Sequence, residues 1–169
     1  MTGRVIWITG LSGAGKTTVS RLVRDKLAER GGPAVLLDGD ILREIFGNDL
    51  GHHREDRLKS ANRNARLCKA LADQGVTVVI ATISLFHEIH DWNRGNIENY
   101  IEVYIKVPLE ELKARDPQGL YARAEKGEQQ NVYGIDLQAE EPQEPDLVIE
   151  NFGGTDAQTA AEKIVARVF

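Results

Sequence analysis

The stretch Gly10-Leu11-Ser12-Gly13-Ala14-Gly15-Lys16-Thr17-Thr18 sets glycines ahead of a lysine and two threonines in the pattern G-x-x-x-x-G-K-T. These residue types at this spacing do phosphate chemistry. Glycines let successive backbone N–H groups converge on phosphate oxygens, the lysine bridges the β- and γ-phosphates of a nucleoside triphosphate, and the first threonine hydroxyl ligates magnesium. Gly10, Ser12, Gly13, Ala14, Gly15, Lys16, Thr17 and Thr18 are therefore the candidate nucleoside triphosphate cradle. A second polar cluster, Leu36 to Arg43 (LLDGDILR), offers two carboxylates and a guanidinium. By itself a turn with two aspartates is an ordinary solvated loop. Beside a triphosphate, Asp40 can accept a proton from an attacking hydroxyl, Asp38 can join Thr17 in holding the metal through water, and Arg43 can grip an anionic acceptor. An ordinary carboxylate, with a pKa of about 4, is too weak to deprotonate an alcohol outright, so it orients the hydroxyl and takes the proton late.

Elements that would position these groups are visible in the hydrophobic pattern. Short β-branched runs at Val5 to Thr9, Ala34 to Asp38, Val76 to Ala81, Ile101 to Val107 and Asp146 to Glu150 alternate with segments of helical period, which predicts an α/β fold with a parallel sheet. Val19, Leu22, Val23 and Leu27 form one helical stripe, ended by Gly31-Gly32-Pro33. The phosphate pattern thus lies between a strand and a helix, which is the context that gives it meaning. A second helix is expected from about Glu55 to Gln74, with Leu58, Ala61, Ala65, Cys68 and Leu71 on one face and Gly75 at its end. Cys68 belongs to that apolar stripe and reads as core filling. A last helix, capped by Thr155, turns Ala157, Ala160, Ala161, Ile164 and Val165 inward. Residues 115–145 are loosely patterned, punctuated by glycines and prolines, and predict a long irregular, mobile lid.

Length and composition narrow the function classes. The 169 residues suit one domain, with 41% hydrophobic and 28% charged residues. A net charge of -5 argues against a broad nucleic-acid or anionic-membrane surface, while leaving room for a basic pocket. A single cysteine and no long apolar run predict a cytoplasmic protein without disulfides or membrane spans. No guanine-reading Asn-Lys-x-Asp occurs, and the chain is short for a motor. His87 and His90, near Glu88 and Asp91, have metal-ligand types, but phosphoryl transfer calls for magnesium on oxygen ligands.

Taken in order, GLSGAGKTT, LDGD with Arg43, EDR at 55–57, ATIS at 81–84, EVYIKVPLEELKARDPQGLYARA at 102–124 and YGID at 133–136 resemble the adenylylsulfate kinases over nearly the whole chain. That family phosphorylates the 3'-hydroxyl of adenosine 5'-phosphosulfate. The resemblance implies a P-loop kinase fold with a five-stranded parallel sheet flanked by helices, ATP and Mg2+ as cosubstrates, and frequently a homodimer. It implies Asp40 as the base beside Lys16, Arg43 and Arg57 as grips on the acceptor nucleotide, and Arg115 and Arg123 in a lid over ATP. The acceptor wall it implies comprises Asp38, Arg43, His52, Arg57, Ser60, Ile83, Ser84, Leu85, Gln118, Val132 and Tyr133. Surface ion pairing is the plainer role for the arginines.

Departures from the family pattern gather on the acceptor side. Ile41 replaces an asparagine, His52 and Val132 replace the two phenylalanines that sandwich the adenine, Ser60 replaces an asparagine, Leu85 a proline and Gln118 a lysine. One stacked aromatic contributes about 1 to 3 kcal/mol. Losing two sets an upper bound of about tenfold to ten-thousandfold in affinity, lowered if His52 or Tyr133 stacks instead. Adenosine 5'-phosphosulfate stands as the default acceptor. The segment ISLFHEIHDWNR resembles a branch that phosphorylates cytidine diphosphoramidate in capsule modification, and a smaller base suits His52 and Val132. A non-catalytic nucleotide-binding module is the alternative from another class, though it would be free to lose Lys16, Thr17, Asp40 and Arg43.

Overall fold

In the computed structural model, which describes residues 2–169, five parallel strands stand in the order β2-β3-β1-β4-β5. They are β1 (Val5–Thr9), β2 (Ala34–Asp38), β3 (Thr77–Thr82), β4 (Tyr100–Lys106) and β5 (Leu147–Glu150). Between and after them run α1 (Lys16–Glu29), α2 (Gly39–Ile45), α3 (Arg54–Asp73), α4 (His87–Asn96), α5 (Leu109–Arg115), α6 (Leu120–Glu125) and α7 (Ala157–Val168). The strand runs seen in the sequence hold to within about a residue at each end, as terminal residues fray.

Every residue of β1 is buried, because a central parallel strand is covered on both faces. Ile6 and Ile8 join Val19, Val23 and Leu27 of α1 and Ala160, Ala161, Ile164 and Val165 of α7 in one core cluster. Val5 and Trp7 point the other way, into a second cluster with Leu42 of α2, Ala61, Ala65 and Cys68 of α3, Phe86 and Tyr133. Each large side chain so buried contributes about 1.5 to 3 kcal/mol. Cys68 is fully buried there, and burial pushes its thiol up to about 12, so it packs as a small apolar group.

Three expectations are corrected. α2 is a helix, not merely a turn: Asp38 caps it by accepting the N–H of Asp40 at 3.0 Å. The cap of α7 is Asp156, which accepts the N–H of Thr159 at 2.8 Å; Thr155 precedes it, and a carboxylate caps as well as a hydroxyl does. The 115–145 segment is not irregular throughout, since it contains α6, whose Tyr121 is 1% exposed and donates its hydroxyl to the carbonyl of Ser12 at 2.6 Å. Among the described residues no helix is long and apolar enough to cross a membrane.

Candidate active site

Strand β1 has β3 on one side and β4 on the other, so the carboxyl ends of β1 and β3 flank the crevice where open parallel sheets bind ligands. The phosphate loop leaves β1 there. A Cβ on Gly10 would lie 2.6 Å from the carbonyl oxygen of Ile105, and Gly15 has a φ of 93° with a would-be Cβ 2.5 Å from the Asn151 amide nitrogen. Glycine is required at both positions, by close approach at the first and by left-handed backbone at the second. Lys16 opens α1 and donates to the Leu11 carbonyl at 2.8 Å. Burial pushes its ammonium down to about 8, with Asp40 and Asp38 pulling the other way.

The end of β2 meets this loop directly. One Asp38 oxygen accepts the Thr17 hydroxyl at 2.9 Å and the other accepts the Asp40 N–H. Asp40 therefore stands in the first turn of α2 on the cavity wall, with Arg43 one turn further. Arg43 donates to the carbonyls of Leu50 and, at 3.3 Å, Gly51, and lies 3.5 Å from His52 Nε2. On α3, Arg57 donates to the carbonyls of His52 and Asn131, both at 2.8 Å, and stacks 5.0 Å above the Tyr133 ring. Burial lowers the pKa of Arg57, and of His52, where the guanidiniums of Arg43 and Arg57 add to the effect. His52 thus presents a neutral ring at pH 7.

Beyond β3 the chain turns through Thr82, Ile83 and Ser84. Ser84 takes a φ of 36°, a conformation unusual outside glycine, and is pinned on both sides. Its hydroxyl pairs with that of Thr82 at 2.7 Å, and its carbonyl accepts from His90 Nε2 at 3.0 Å. Burial drives His90 down to about 4, so it is neutral. Phe86 meets Tyr133 edge to face at 6.4 Å. Asp136 accepts the N–H groups of Asn131 and Val132 at 2.7 and 2.6 Å, which fixes the strip of the lid segment that completes the wall.

Together these elements enclose a cavity of about 550 Å³. Its charged lining is Lys16, Arg43 and Arg57 against Asp38 and Asp40, a cationic excess inside a chain of net charge -5. Ser12, Gly13, Gly15, Thr17 and Thr18 of the loop line it, as do Ser60, Ile83, Ser84, Gln118, Val132 and Tyr133 of the expected acceptor wall. Gly10 and Ala14 shape the loop from behind. Leu85, expected on the acceptor wall, is fully buried and does not line the cavity; what it offers is a carbonyl for the Glu140 N–H at 3.1 Å. Arg115 and Arg123 are also off the cavity wall. Arg115 donates to the Asn151 carbonyl at 2.7 Å, and the Asn151 amide holds the Ala14 carbonyl at 2.9 Å; Arg123 donates to the Gln118 carbonyl at 2.7 Å. Asn64, Thr82, Phe86 and Asn131 line the cavity without having been expected. Of these, Asn64 carried a signal, as a polar residue on an otherwise apolar helix face.

The oxygen donors Thr17 and Asp38 suit magnesium. Among the described residues no cluster of three or more His, Cys, Asp or Glu side chains could hold a metal. His87 Nε2 pairs with the Glu141 carbonyl at 2.8 Å and His90 Nε2 with the Ser84 carbonyl, while His90 Nδ1 is buried without a partner.

The family model described as adenylylsulphate kinase matches residues 2–150. A cytidine diphosphoramidate kinase of Campylobacter jejuni is 41% identical over 164 residues, 97% of this chain and 95% of its own. An adenylyl-sulfate kinase of Halothermothrix orenii is 42% identical over 160 residues, 95% of this chain and 84% of its own. The solved structure of the Mycobacterium tuberculosis APS kinase CysC, in complex with AMPPNP and APS, superposes with a TM-score of 0.92 at 35% identity, covering 99% of this chain and 98% of that one.

Proposed function

The chain belongs to the adenylylsulphate kinase family, and we propose that it moves the γ-phosphoryl group of ATP to the 3'-hydroxyl of a nucleotide whose 5' end carries a diphosphate-like anion. That it is an ATP-dependent phosphotransferase follows from the family. The observation that carries the finer reading is that the phosphate loop, Asp40, Arg43 and Arg57 line one continuous cavity.

Lys16 and the loop N–H groups hold the β- and γ-phosphates. Arg43 and Arg57 hold the acceptor's anionic tail, placing its 3'-hydroxyl against Asp40. The 3'-oxygen bonds to the γ-phosphorus as the bond from that phosphorus to the β,γ-bridging oxygen breaks. ADP leaves, and the hydroxyl proton passes to Asp40 and then to water. Magnesium, held by Thr17 and through water by Asp38, would neutralise charge on the β- and γ-oxygens. Arg115 and Arg123 belong to the ATP side, acting through the loop and lid backbone they bind.

The base is assigned to a pyrimidine, with cytidine diphosphoramidate as acceptor. His52 and Val132 offer less stacking area than two phenylalanines, and the Campylobacter kinase is matched along 95% of its length. Adenosine 5'-phosphosulfate is the second reading, favoured by the family model and by the aromatic pair Phe86 and Tyr133, which also lines the cavity. Acceptor-dependent ADP release at low-micromolar acceptor tests both. Turnover of cytidine diphosphoramidate alone is the expected result; fast turnover of adenosine 5'-phosphosulfate alone replaces the first reading with the second.

A further inference from the structure

Asn64 lies on the buried face of α3 among Ala61, Ala65, Cys68 and Ala72, and is 3% exposed. Packing alone calls for an apolar side chain at such a place. Asn64 nevertheless lines the cavity, and its carboxamide is not among the buried polar atoms left without a partner. A carboxamide set on a buried helix face and lining the cavity is placed to pair with a ligand there.

The position says which part of the ligand. Arg57, Ser60 and Asn64 stand at i, i+3 and i+7 and all line the cavity, a polar stripe running from the anion grip into the fold. Core contacts put α3, Phe86 and Tyr133 on one face of the sheet, and α1, with its phosphate loop, on the other. Asn64 is thus on the acceptor's side of the cavity, two turns along α3 from the guanidinium proposed to hold the acceptor's charge, and it shares the cavity lining with the rings of Phe86 and Tyr133.

We infer that Asn64 reads the hydrogen-bonding edge of the acceptor's base. A carboxamide sets a donor beside an acceptor, which matches a ring nitrogen next to an exocyclic amine. Cytosine presents that pair at N3 and N4, adenine at N1 and N6. Asn64 therefore recognises the amino-bearing edge, and ring size is left to His52 and Val132. This assignment rests on the nucleotide-kinase reading above.

The test compares kcat/KM for cytidine diphosphoramidate and for its 2-pyrimidinone analogue, which lacks the 4-amino group; the matching pair of purines, with and without the 6-amino group, is run on adenosine 5'-phosphosulfate. In the unaltered protein, removal of the amino group should cost about 5- to 150-fold. Asn64→Leu should bring the two members of the pair within about twofold of each other, with the KM for ATP unchanged. Asn64→Asp, which keeps the size and polarity of the side chain, should lose the ring-nitrogen contact and weaken both members of the pair. Amino-group preference that survives in Asn64→Leu, in protein with a normal melting temperature, overturns the role of Asn64 while leaving the nucleotide kinase standing. Turnover of neither acceptor by the unaltered protein overturns the functional reading and this assignment with it.

Discussion

The Thr17 hydroxyl donates to Asp38 at 2.9 Å, tying the first turn of α1 to the end of β2 across 21 residues of chain. The second Asp38 oxygen caps α2 through the Asp40 N–H, so one carboxylate aligns the hydroxyl proposed to bind the metal with the proposed proton acceptor. Asp38→Ala should raise the magnesium concentration for half-maximal turnover by about tenfold or more and cost about 0.5 to 2 kcal/mol of stability through the lost cap. Magnesium titrations of turnover and urea melts measure the two effects; an unchanged magnesium requirement would remove Asp38 from the metal site.

Asp40→Asn keeps the shape of the site and removes the proposed proton acceptor. Turnover should fall by about 10²- to 10⁴-fold while ATP affinity changes little. Single-turnover rates and calorimetric ATP binding separate these quantities. Near-normal rates would take Asp40 out of the base role.

Lys16 makes ATP binding dependent on pH. With its ammonium held down to about 8 by burial, the ligand-free protein loses that charge as pH rises past 8, and binding the triphosphate must restore it. Affinity for ATP should be flat below about pH 7.5 and fall by up to tenfold per pH unit above 8, with proton uptake on binding. Calorimetry in buffers of differing ionisation enthalpy reads the proton directly, and its absence at pH 8.5 would contradict this picture.

His90 links stability to pH through a different route. Folded His90 stays neutral down to about pH 4, whereas an unfolded histidine protonates near 6.5. Between those values the unfolded chain binds more protons, so the contribution is intact above pH 6.5 and is lost as pH falls toward 4. The loss amounts to about 3 kcal/mol at most, at about 1.4 kcal/mol per pH unit. His87, Asp91 and Glu140 also act on this ring, and His90→Gln isolates its share. That variant should lose less stability than the parent between pH 7 and 4.5. It should also raise the KM for acceptor, because Ser84 would be less firmly held.

His52→Phe combined with Val132→Phe enlarges the stacking surface on the base side of the cavity. Relative kcat/KM should move toward the adenine acceptor by about tenfold or more. An unaltered ratio would show that these two positions do not set base preference.

What the sequence determined by itself is whatever depends on neighbours along the chain. The phosphate loop is legible because its chemistry needs glycines, a lysine and a threonine within a few residues. The alternation of strand and helix is legible because burial on both faces writes continuous apolar runs, and burial on one face writes stripes such as Val19, Val23 and Leu27. Helix α2 was not, since seven residues are too few to show a period and its capping aspartate also suits a turn. Only the tertiary structure decided the strand order, which rests on hydrogen bonds between segments far apart in the chain. It also decided which side chains face the cavity. Leu85 and Phe86 are adjacent in sequence, yet the first is packed away and the second lines the site. Asn64 looks like a blemish in an apolar stripe until α3 is laid against the sheet, because the direction in which a side chain points across a gap is set by packing between elements.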